Sequence, residues 1–281
     1  MTGEESSKPF FLNGFLLKVF AFLFMTIDHL GVFLAMRHMN IELAEAFRHM
    51  GRIAFPLFVF LLCEGMRLSH HKERYLFRLG LMYAIITIPE TVLVYVPSLA
   101  SNFGVSPSTL DPHPFADVFF LGLLLYFLTK KGWKKAFALL PLAYFLASFY
   151  LEYYDFYNPY FPYYLRSGYD IYGLLLALLI FGANLLLDHR EAKNGPTPRW
   201  LRNVISGAMI GATVGLTLLL GLLVQRGMHS RMVWQSYSCL AIPFVLFYSG
   251  KRGYDSKWWR VFSYSYFLLH MAVLYLIFAF I

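Results

Sequence analysis

Ionisable side chains interrupt several apolar stretches of the sequence, where they could carry out acid–base chemistry. An ionisable group inside an apolar membrane span costs a few kcal/mol, so it requires a partner, a water-filled cavity or a function. Imidazole changes its protonation near neutral pH and is the usual general base of enzymes. We therefore expect a functional cluster built from the following residues: Asp28, His29, Arg52, Glu90, Asp170 and His270.

The estimated depths of these groups agree. At about 1.5 Å per residue, Asp28 lies roughly 20 Å from the start of its stretch, in the outer half of a first span. A second span that begins at Arg52 and runs back can hold this guanidinium beside Asp28. Glu90 lies at about the same depth, Asp170 opens a later span from the outer side, and His270 lies near the middle of the last. The shared depth predicts one site.

Two roles remain open for each member of the cluster. Asp28 with Arg52 could be a structural ion pair that fixes two helices in register, or part of a catalytic group. Neighbouring residues of a helix point about 100° apart, so we expect Glu90 or Asp170, and not Asp28, to orient His29. His270 could equally be a polar packing residue or a second acid–base group.

The composition requires these residues to lie in a membrane. Of the 281 residues, 58% are apolar and only 14% are charged, which excludes a soluble enzyme. We predict an all-α, polytopic transmembrane bundle, a single domain over 1–281, with about nine spans: 13–35, 51–69, 76–97, 114–130, 134–151, 169–188, 203–224, 232–250 and 259–281. Cys63 and Cys239 both lie in apolar stretches and are expected to be unpaired, inert packing residues.

The basic residues indicate an orientation. Eighteen of the 24 lysines and arginines fall on the side of the predicted N-terminus and six on the other, which places the N-terminus in the cytoplasm by the positive-inside rule. The formal charge of +8 is spread over the segment ends, so we expect no nucleic-acid partner. Near the cytoplasmic surface, Glu64 is expected to pair with Arg67 or Arg78. The first residues have no small-residue cleavage site and do not resemble a removable signal peptide.

Several motifs together resemble one known family. The chain begins with LLKVFAFLFMTIDHLGVFL and continues with GRIAFPLFVFLLCEG and RYLFRLGLMYAIITIPE; its later stretches include YDIYGLLLALLIF, LAIPFVLFYSGKRG and FSYSYFLLHMAVLYL. In this order they resemble the TraX family, over nearly the whole chain. The fourth span departs from the family pattern: HPFADVFFLGLLL keeps Gly122 and has Asp117 available in place of an asparagine, and Ser249 replaces an asparagine before GKRG.

The resemblance implies membership of a wider transmembrane acyltransferase superfamily, whose members move an acyl group from cytosolic acyl-CoA to an acceptor across the membrane. On that basis we expect acetyl-CoA or another acyl-CoA as co-substrate, no metal, and an acceptor hydroxyl or amine on an exported peptide or a cell-surface glycan. His29 would be the general base, Arg52 its electrostatic support, and Asp28 the group that holds Arg52. His270 would be a second acid–base group or a transient acyl carrier.

The two substrates have separate candidate contacts. Lys251 and Arg252 lie in a glycine-flanked turn at the cytoplasmic end of the eighth predicted span, where they could bind CoA phosphates. Tyr169 and Tyr172 flank Asp170 in an outer segment rich in tyrosine, which could contact the acceptor or form an interfacial aromatic belt beside the lipids.

A second class of function also fits the cluster. A proton-coupled secondary transporter could use Asp28, Glu90 and His29 as a proton relay, although the sequence has no inverted repeat. Either function places the protein in a cell membrane as a multi-pass integral protein, and the family resemblance suggests a bacterial one.

Overall fold

The computed structural model describes residues 11–96, 98, 110–154, 158–223 and 232–280, and these residues are helical almost throughout. In chain order the α-helices of the described residues are α1 (Gly14–Met36), α2 (Ile41–Gly51), α3 (Ala54–Leu68), α4 (Lys72–Tyr95), α5 (Pro114–Leu128), α6 (Leu139–Tyr153), α7 (Asp170–Asn194), α8 (Arg199–Leu223), α9 (Ile242–Leu246) and α10 (Lys257–Ala279). Short 3₁₀ segments precede α6, α7 and α9: Gly132–Ala138, Tyr163–Leu165 and Gln235–Ala241.

Among the described residues, seven helical stretches are long and apolar enough to cross a membrane: Gly14–Met36, Ile41–Leu68, Lys72–Tyr95, Gly132–Tyr153, Tyr163–Asn194, Arg199–Leu223 and Lys257–Ala279. This confirms the predicted all-α, polytopic class. The spans expected at 114–130 and 232–250 correspond to shorter apolar helices, Pro114–Leu128 and Met232–Leu246. Fifteen residues extend about 22 Å, less than the roughly 30 Å of a hydrocarbon core. The count of nine spans and the cytoplasmic N-terminus remain predictions.

Specific residues set the helix ends. Asn13 caps α1, where its side chain accepts a hydrogen bond from the N–H of Leu16, and Ser256 caps α10 in the same way through Trp259. Pro114 stands at the first turn of α5, where its missing N–H costs nothing. The N-terminal residues up to Phe10 lie outside the described residues. So do Arg226 and Arg231, two of the six basic residues counted on the outer side.

The chain divides into two compact units. The first unit comprises residues 1–61, 183–214 and 234–281. Its core is formed by Phe22, Met25 and Ala54, and partly buried aromatic side chains pack against them: Phe24, Phe58, Trp259, Tyr266 and Phe267. The single domain expected from the sequence remains a prediction.

In the first unit, hydrogen bonds join one end of α1 to the turn before α10 and the other end of α1 to the end of α10. Near the start of α1, the N–H of Gly14 donates to the carbonyl of Lys251 at 2.8 Å, and the N–H of Phe15 donates to that of Arg252 at 3.0 Å. At the other end, Arg37 donates to the carbonyl oxygen of Phe278 near the end of α10. These bonds hold the two helices in a fixed register.

The second unit comprises residues 62–182 and 215–233. In it α4 and α5 approach closely at Gly80 and Gly122, where added Cβ atoms would lie 2.8 Å from the ring of Phe119 and 2.9 Å from Leu76. Glu64 pairs with Arg67 at 3.0 Å, which confirms the first of its two expected partners. Cys63 in this unit and Cys239 in the first unit are free cysteines.

Candidate functional site

Asp28 lies between two guanidinium groups of the first unit. Arg52 donates through Nη2 to Oδ1 of Asp28 at 2.6 Å, as the matched depths predicted. Arg48 donates through Nη1 to Oδ2 at 3.0 Å, and Nε of Arg52 bonds the carbonyl of Arg48 at 3.2 Å. Asp28 therefore accepts from two guanidinium groups, and cations of this kind stabilise an anion formed next to them.

Sequence reasoning missed Arg48, which it counted only as one of the six basic residues on the outer side. The signal was available, because Arg48 precedes Arg52 by four residues and such positions share a helix face. The segment before Arg52 forms α2, a short helix that is exposed over much of its surface. A hydropathy criterion does not detect such a helix.

The position immediately before Arg52 has no room for a side chain, and Gly51 occupies it. A Cβ added at this position would lie 2.2 Å from Cβ of Asp28 and 2.3 Å from its Oδ1. The absent side chain therefore provides the space in which the carboxylate sits against the end of α2. Any larger residue would displace Asp28 from its arginines.

The two histidines expected to be catalytic meet in the first unit. Nδ1 of His29 lies 3.2 Å from Nε2 of His270, and the ring centroids are 4.9 Å apart. Nδ1 of His29 is also 2.8 Å from the carbonyl of Met25, and Nδ1 of His270 is 2.8 Å from the carbonyl of Tyr266. The sequence placed both histidines at similar depth, and the structure brings them into contact.

The carbonyl contacts define the tautomers of the neutral pair. A carbonyl oxygen can only accept, so each Nδ1 carries a hydrogen. Nε2 of His270 then has a lone pair, and the single Nδ1–H of His29 is shared between this lone pair and the carbonyl of Met25. Nε2 of His29 also has a lone pair, and within the described part of the chain no residue donates to it. His29 is only half-buried, so this nitrogen is available to an incoming proton donor.

Tyr266 holds His270 in place, a role that the sequence did not indicate because Tyr266 lies in a run rich in aromatic residues. Besides providing the carbonyl for Nδ1, its ring stacks on the imidazole with centroids 5.2 Å apart and planes 9° apart. Its hydroxyl lies 2.7 Å from Oγ1 of Thr26. Because Thr26 donates its own hydrogen to the carbonyl of Phe22, the tyrosine hydroxyl is the donor in this contact.

A cavity of about 270 Å³ opens beside His270. Tyr266 and Thr26 line it together with four apolar side chains of α10: Phe262, Leu269, Val273 and Leu274.

The turn that contains Lys251 and Arg252 lies at the start of α10 in the same unit. Gly253 has a φ of +73°, and a Cβ on it would lie 2.4 Å from the side-chain oxygen of Asn13, so only glycine fits. Arg252 pairs with Asp255 at 2.6 Å. Lys251 is exposed and makes no ion pair with any described residue. The first N–H groups of α1 bond the carbonyls of this turn, so a phosphate would have to be bound by side chains.

Asp255 neutralises part of this basic end. Burial alone would raise the pKa of Asp255. The hydrogen bonds from Arg260 and the charge of Arg252 outweigh burial, so the pKa of Asp255 lies below its ordinary value. The carboxylate therefore remains charged at neutral pH and fixes both arginines. Lys251 is left as the cation of the turn that can reorient towards a ligand.

Glu90 lies in the second unit beside a residue that sequence reasoning did not single out. Oε2 of Glu90 is 4.0 Å from Nε2 of His113, which also contacts the hydroxyl of Thr87 at 2.9 Å. His113 precedes α5, and burial lowers its pKa to about 4. The expected orientation of His29 by Glu90 or Asp170 stays a prediction.

Asp170 begins α7 with a φ of +40°, and its N–H donates to Oγ of Ser167 at 2.7 Å. The same serine hydroxyl donates to Asp117, which is fully buried and also accepts from the N–H of Gly168 at 3.1 Å. Asp117 thus fixes the entry to α7. Tyr172 is buried, Tyr169 is half-buried, and their ring centroids are 6.4 Å apart. Contact with an acceptor remains a prediction for both.

The apolar helices define an integral, multi-pass membrane protein. The TraX protein family model matches residues 13–105, a stretch that contains Asp28, His29, Arg52 and Glu90. Over these residues the match confirms the resemblance predicted from the motifs, and the resemblance of the later motifs stays a prediction. Comparison with curated proteins and with solved structures gives no match.

Proposed function

We propose that this protein is a membrane acyltransferase. It would move an acetyl or other acyl group from cytosolic acyl-CoA to a hydroxyl or amine of an exported peptide or a cell-surface glycan. The observation that carries the proposal is that Nδ1 of His29 contacts both the carbonyl of Met25 and Nε2 of His270, which leaves Nε2 of His29 as the nitrogen that can accept a proton. A base fixed in this way is suited to remove a proton from an acceptor.

The proposed reaction uses these contacts. Nε2 of His29 takes the proton from the acceptor, whose oxygen or nitrogen bonds to the carbonyl carbon of the thioester. The tetrahedral intermediate carries a negative charge, which the guanidinium groups of Arg48 and Arg52 would stabilise. The carbon–sulfur bond then breaks, and the CoA sulfur takes the proton from His29. His270 supports the protonated state by accepting from Nδ1–H throughout.

The donor would enter at the basic turn. Lys251 is free to move towards a phosphate, and Arg252 carries a second charge that is largely exposed. The turn and the histidine pair belong to the same unit and are connected by α10. We therefore assign CoA to the Lys251 end of α10 and the thioester to the His270 region.

The test compares matched variants of the full-length protein in lipid nanodiscs. With radiolabelled acetyl-CoA and envelope material from cells that lack the protein as acceptor, His29→Gln should lower labelling of the envelope by about 10²–10⁴-fold. His189→Gln, which changes an exposed histidine, should leave it unchanged. Unimpaired transfer by His29→Gln would overturn the proposal, as would acidification of proteoliposomes with no consumption of thioester.

Donor binding is measured separately by thermal shift with acetyl-CoA. A ligand at a hundred times its Kd stabilises the native state by about 2.7 kcal/mol. We expect His29→Gln to keep this shift and the double variant Lys251→Ala, Arg252→Ala to lose it. The control double variant Lys134→Ala, Lys135→Ala removes two exposed lysines from the 3₁₀ segment before α6 and should keep the shift.

A further inference from the structure

The cavity beside His270 follows one face of α10. Phe262, Tyr266, Leu269 and Val273 recur along this helix at spacings of three or four residues, and Leu274 follows His270 by four, so these residues line one side of the helix. From Phe262 to Leu274 the face extends about 18 Å. The cavity is therefore an elongated groove parallel to the helix axis, and His270 lies within its length.

The groove is apolar and opens sideways. Phe262, Leu269 and Val273 are 42%, 50% and 54% exposed, whereas His270 and Leu274 at its floor are only 6% and 4% exposed. Since α10 is one of the helices suited to cross a membrane, the open side of the groove faces hydrocarbon. A charged or sugar-like ligand would lose its hydration there without finding enough polar partners.

The size of the groove exceeds the needs of an acetyl group. An apolar cavity of about 150 Å³ holds a benzene ring, which has six carbons, and this groove measures about 270 Å³. The basic turn at the start of α10 lies on the Phe262 side of His270. A donor entering from that turn would reach the histidine pair with its thioester and extend its acyl chain towards Val273 and Leu274.

We infer that the segment of the groove formed by Leu269, Val273 and Leu274 binds the acyl chain of the donor, and that the protein prefers acyl-CoA with a medium-length linear chain to acetyl-CoA. This inference rests on the proposed acyl transfer and specifies its donor. The chain lies along α10 beyond His270, and its carbonyl carbon stands next to the histidine pair. Burial of successive methylene groups then sets the selectivity.

The expected selectivity follows from the exposed area. Transfer of a methylene group from water to an apolar environment gains about 0.8 kcal/mol, which corresponds to a factor of about four at 1.4 kcal/mol per factor of ten. Because the groove is open on one side, we expect about half of this free energy, or a twofold gain per methylene group. From acetyl-CoA to hexanoyl-CoA, kcat/KM should rise about 16-fold.

The test uses the full-length protein in nanodiscs with acetyl-, butyryl- and hexanoyl-CoA. Val273→Trp should fill the groove and reduce the preference for hexanoyl-CoA over acetyl-CoA to about twofold. Leu276→Trp is the matched control, because Leu276 is 58% exposed on the same helix and does not line the groove. It should keep the preference. The milder Val273→Phe gives an intermediate preference and guards against misfolding of the tryptophan variant.

A binding measurement keeps this inference separate from the proposed function. Hexanoyl-CoA with a diazirine at the end of its chain should label the peptide that contains residues 269–274, and Val273→Trp should abolish that label. Labelling there without any transfer would support the groove and overturn the acyltransferase proposal. Transfer with equal rates for all chain lengths would overturn the groove and leave the acyltransferase proposal standing. Labels scattered over the helices, as for a bystander bilayer lipid, would also overturn the groove.

Discussion

Replacement of Gly51 by alanine tests the geometry of the Asp28 group directly. The new Cβ would lie 2.2 Å from Cβ of Asp28, whereas real Cβ contacts are essentially never under 3.0 Å. Asp28 or the end of α2 must therefore move by nearly an ångström. Both carboxylate oxygens are held by arginines at 2.6 and 3.0 Å, so the movement breaks at least one of these contacts.

The free-energy cost can be bounded from these contacts. Overpacking of a tight site costs about 1–3 kcal/mol, and disruption of a buried ion pair costs about 3–5 kcal/mol when one charge is left without its partner. Because Arg48 can follow the carboxylate in part, we expect a loss of about 3 kcal/mol in the free energy of unfolding for Gly51→Ala. A loss of that size is a large share of the 5–15 kcal/mol typical of a folded protein.

The assay is unfolding by SDS titration in mixed micelles, followed by circular dichroism. Gly215→Ala is the control, since a Cβ there meets nothing within 4 Å and alanine favours the interior of α8 by up to about 1 kcal/mol. We expect the control to be as stable as the parent protein or more so. Equal unfolding curves for Gly51→Ala and the parent would refute the close packing of Gly51 on Asp28.

Two further predictions concern Tyr266 and His113. Tyr266→Phe removes the hydrogen bond to Thr26 but keeps the ring and the carbonyl that position His270. Because one hydrogen bond contributes about 0.5–1.5 kcal/mol, kcat for acyl transfer should fall about threefold to tenfold with little change in KM. A loss as large as that of His29→Gln would contradict the positioning role. His113 is buried and neutral when folded, and burial lowers its pKa to about 4, so the unfolded chain binds the proton first as the pH falls below about 6.5. The stability that this provides is complete above pH 6.5 and declines by roughly 3 kcal/mol down to pH 4. The free energy of unfolding of His113→Gln, with Glu90 retained, should depend less on pH over that window than that of the parent protein. An unchanged pH dependence would contradict the burial of His113.

The sequence predicted those parts of the site that depend on depth and local spacing. Asp28 and Arg52 lie at matched depths in successive segments, and the structure pairs them. Glu64 and Arg67 are three residues apart on one helix, which is sufficient to bring them together. Long apolar runs gave the major helices, since about 20 apolar residues are needed to cross a membrane.

Other features depend on packing between distant segments, which one sequence does not specify. Arg48 was missed because α2 is short and exposed, so nothing in its hydropathy indicates a buried partner for its arginine. Tyr266 was missed because its role consists of a stacked ring and a backbone carbonyl, and neither leaves a mark in the pattern. The count of nine spans remains a prediction, because Pro114–Leu128 and Met232–Leu246 are apolar but short and their length alone does not establish a crossing.

His29 and His270 are separated by 241 positions, and α1 and α10 supply one imidazole each. During synthesis at about 5–20 residues per second, the ribosome makes α1 well before α10. The imidazole pair therefore assembles only when α10 enters the membrane, and every earlier nascent chain lacks it. A product truncated before α10 therefore keeps the imidazole of His29 but lacks that of His270, and its acid–base pair is incomplete.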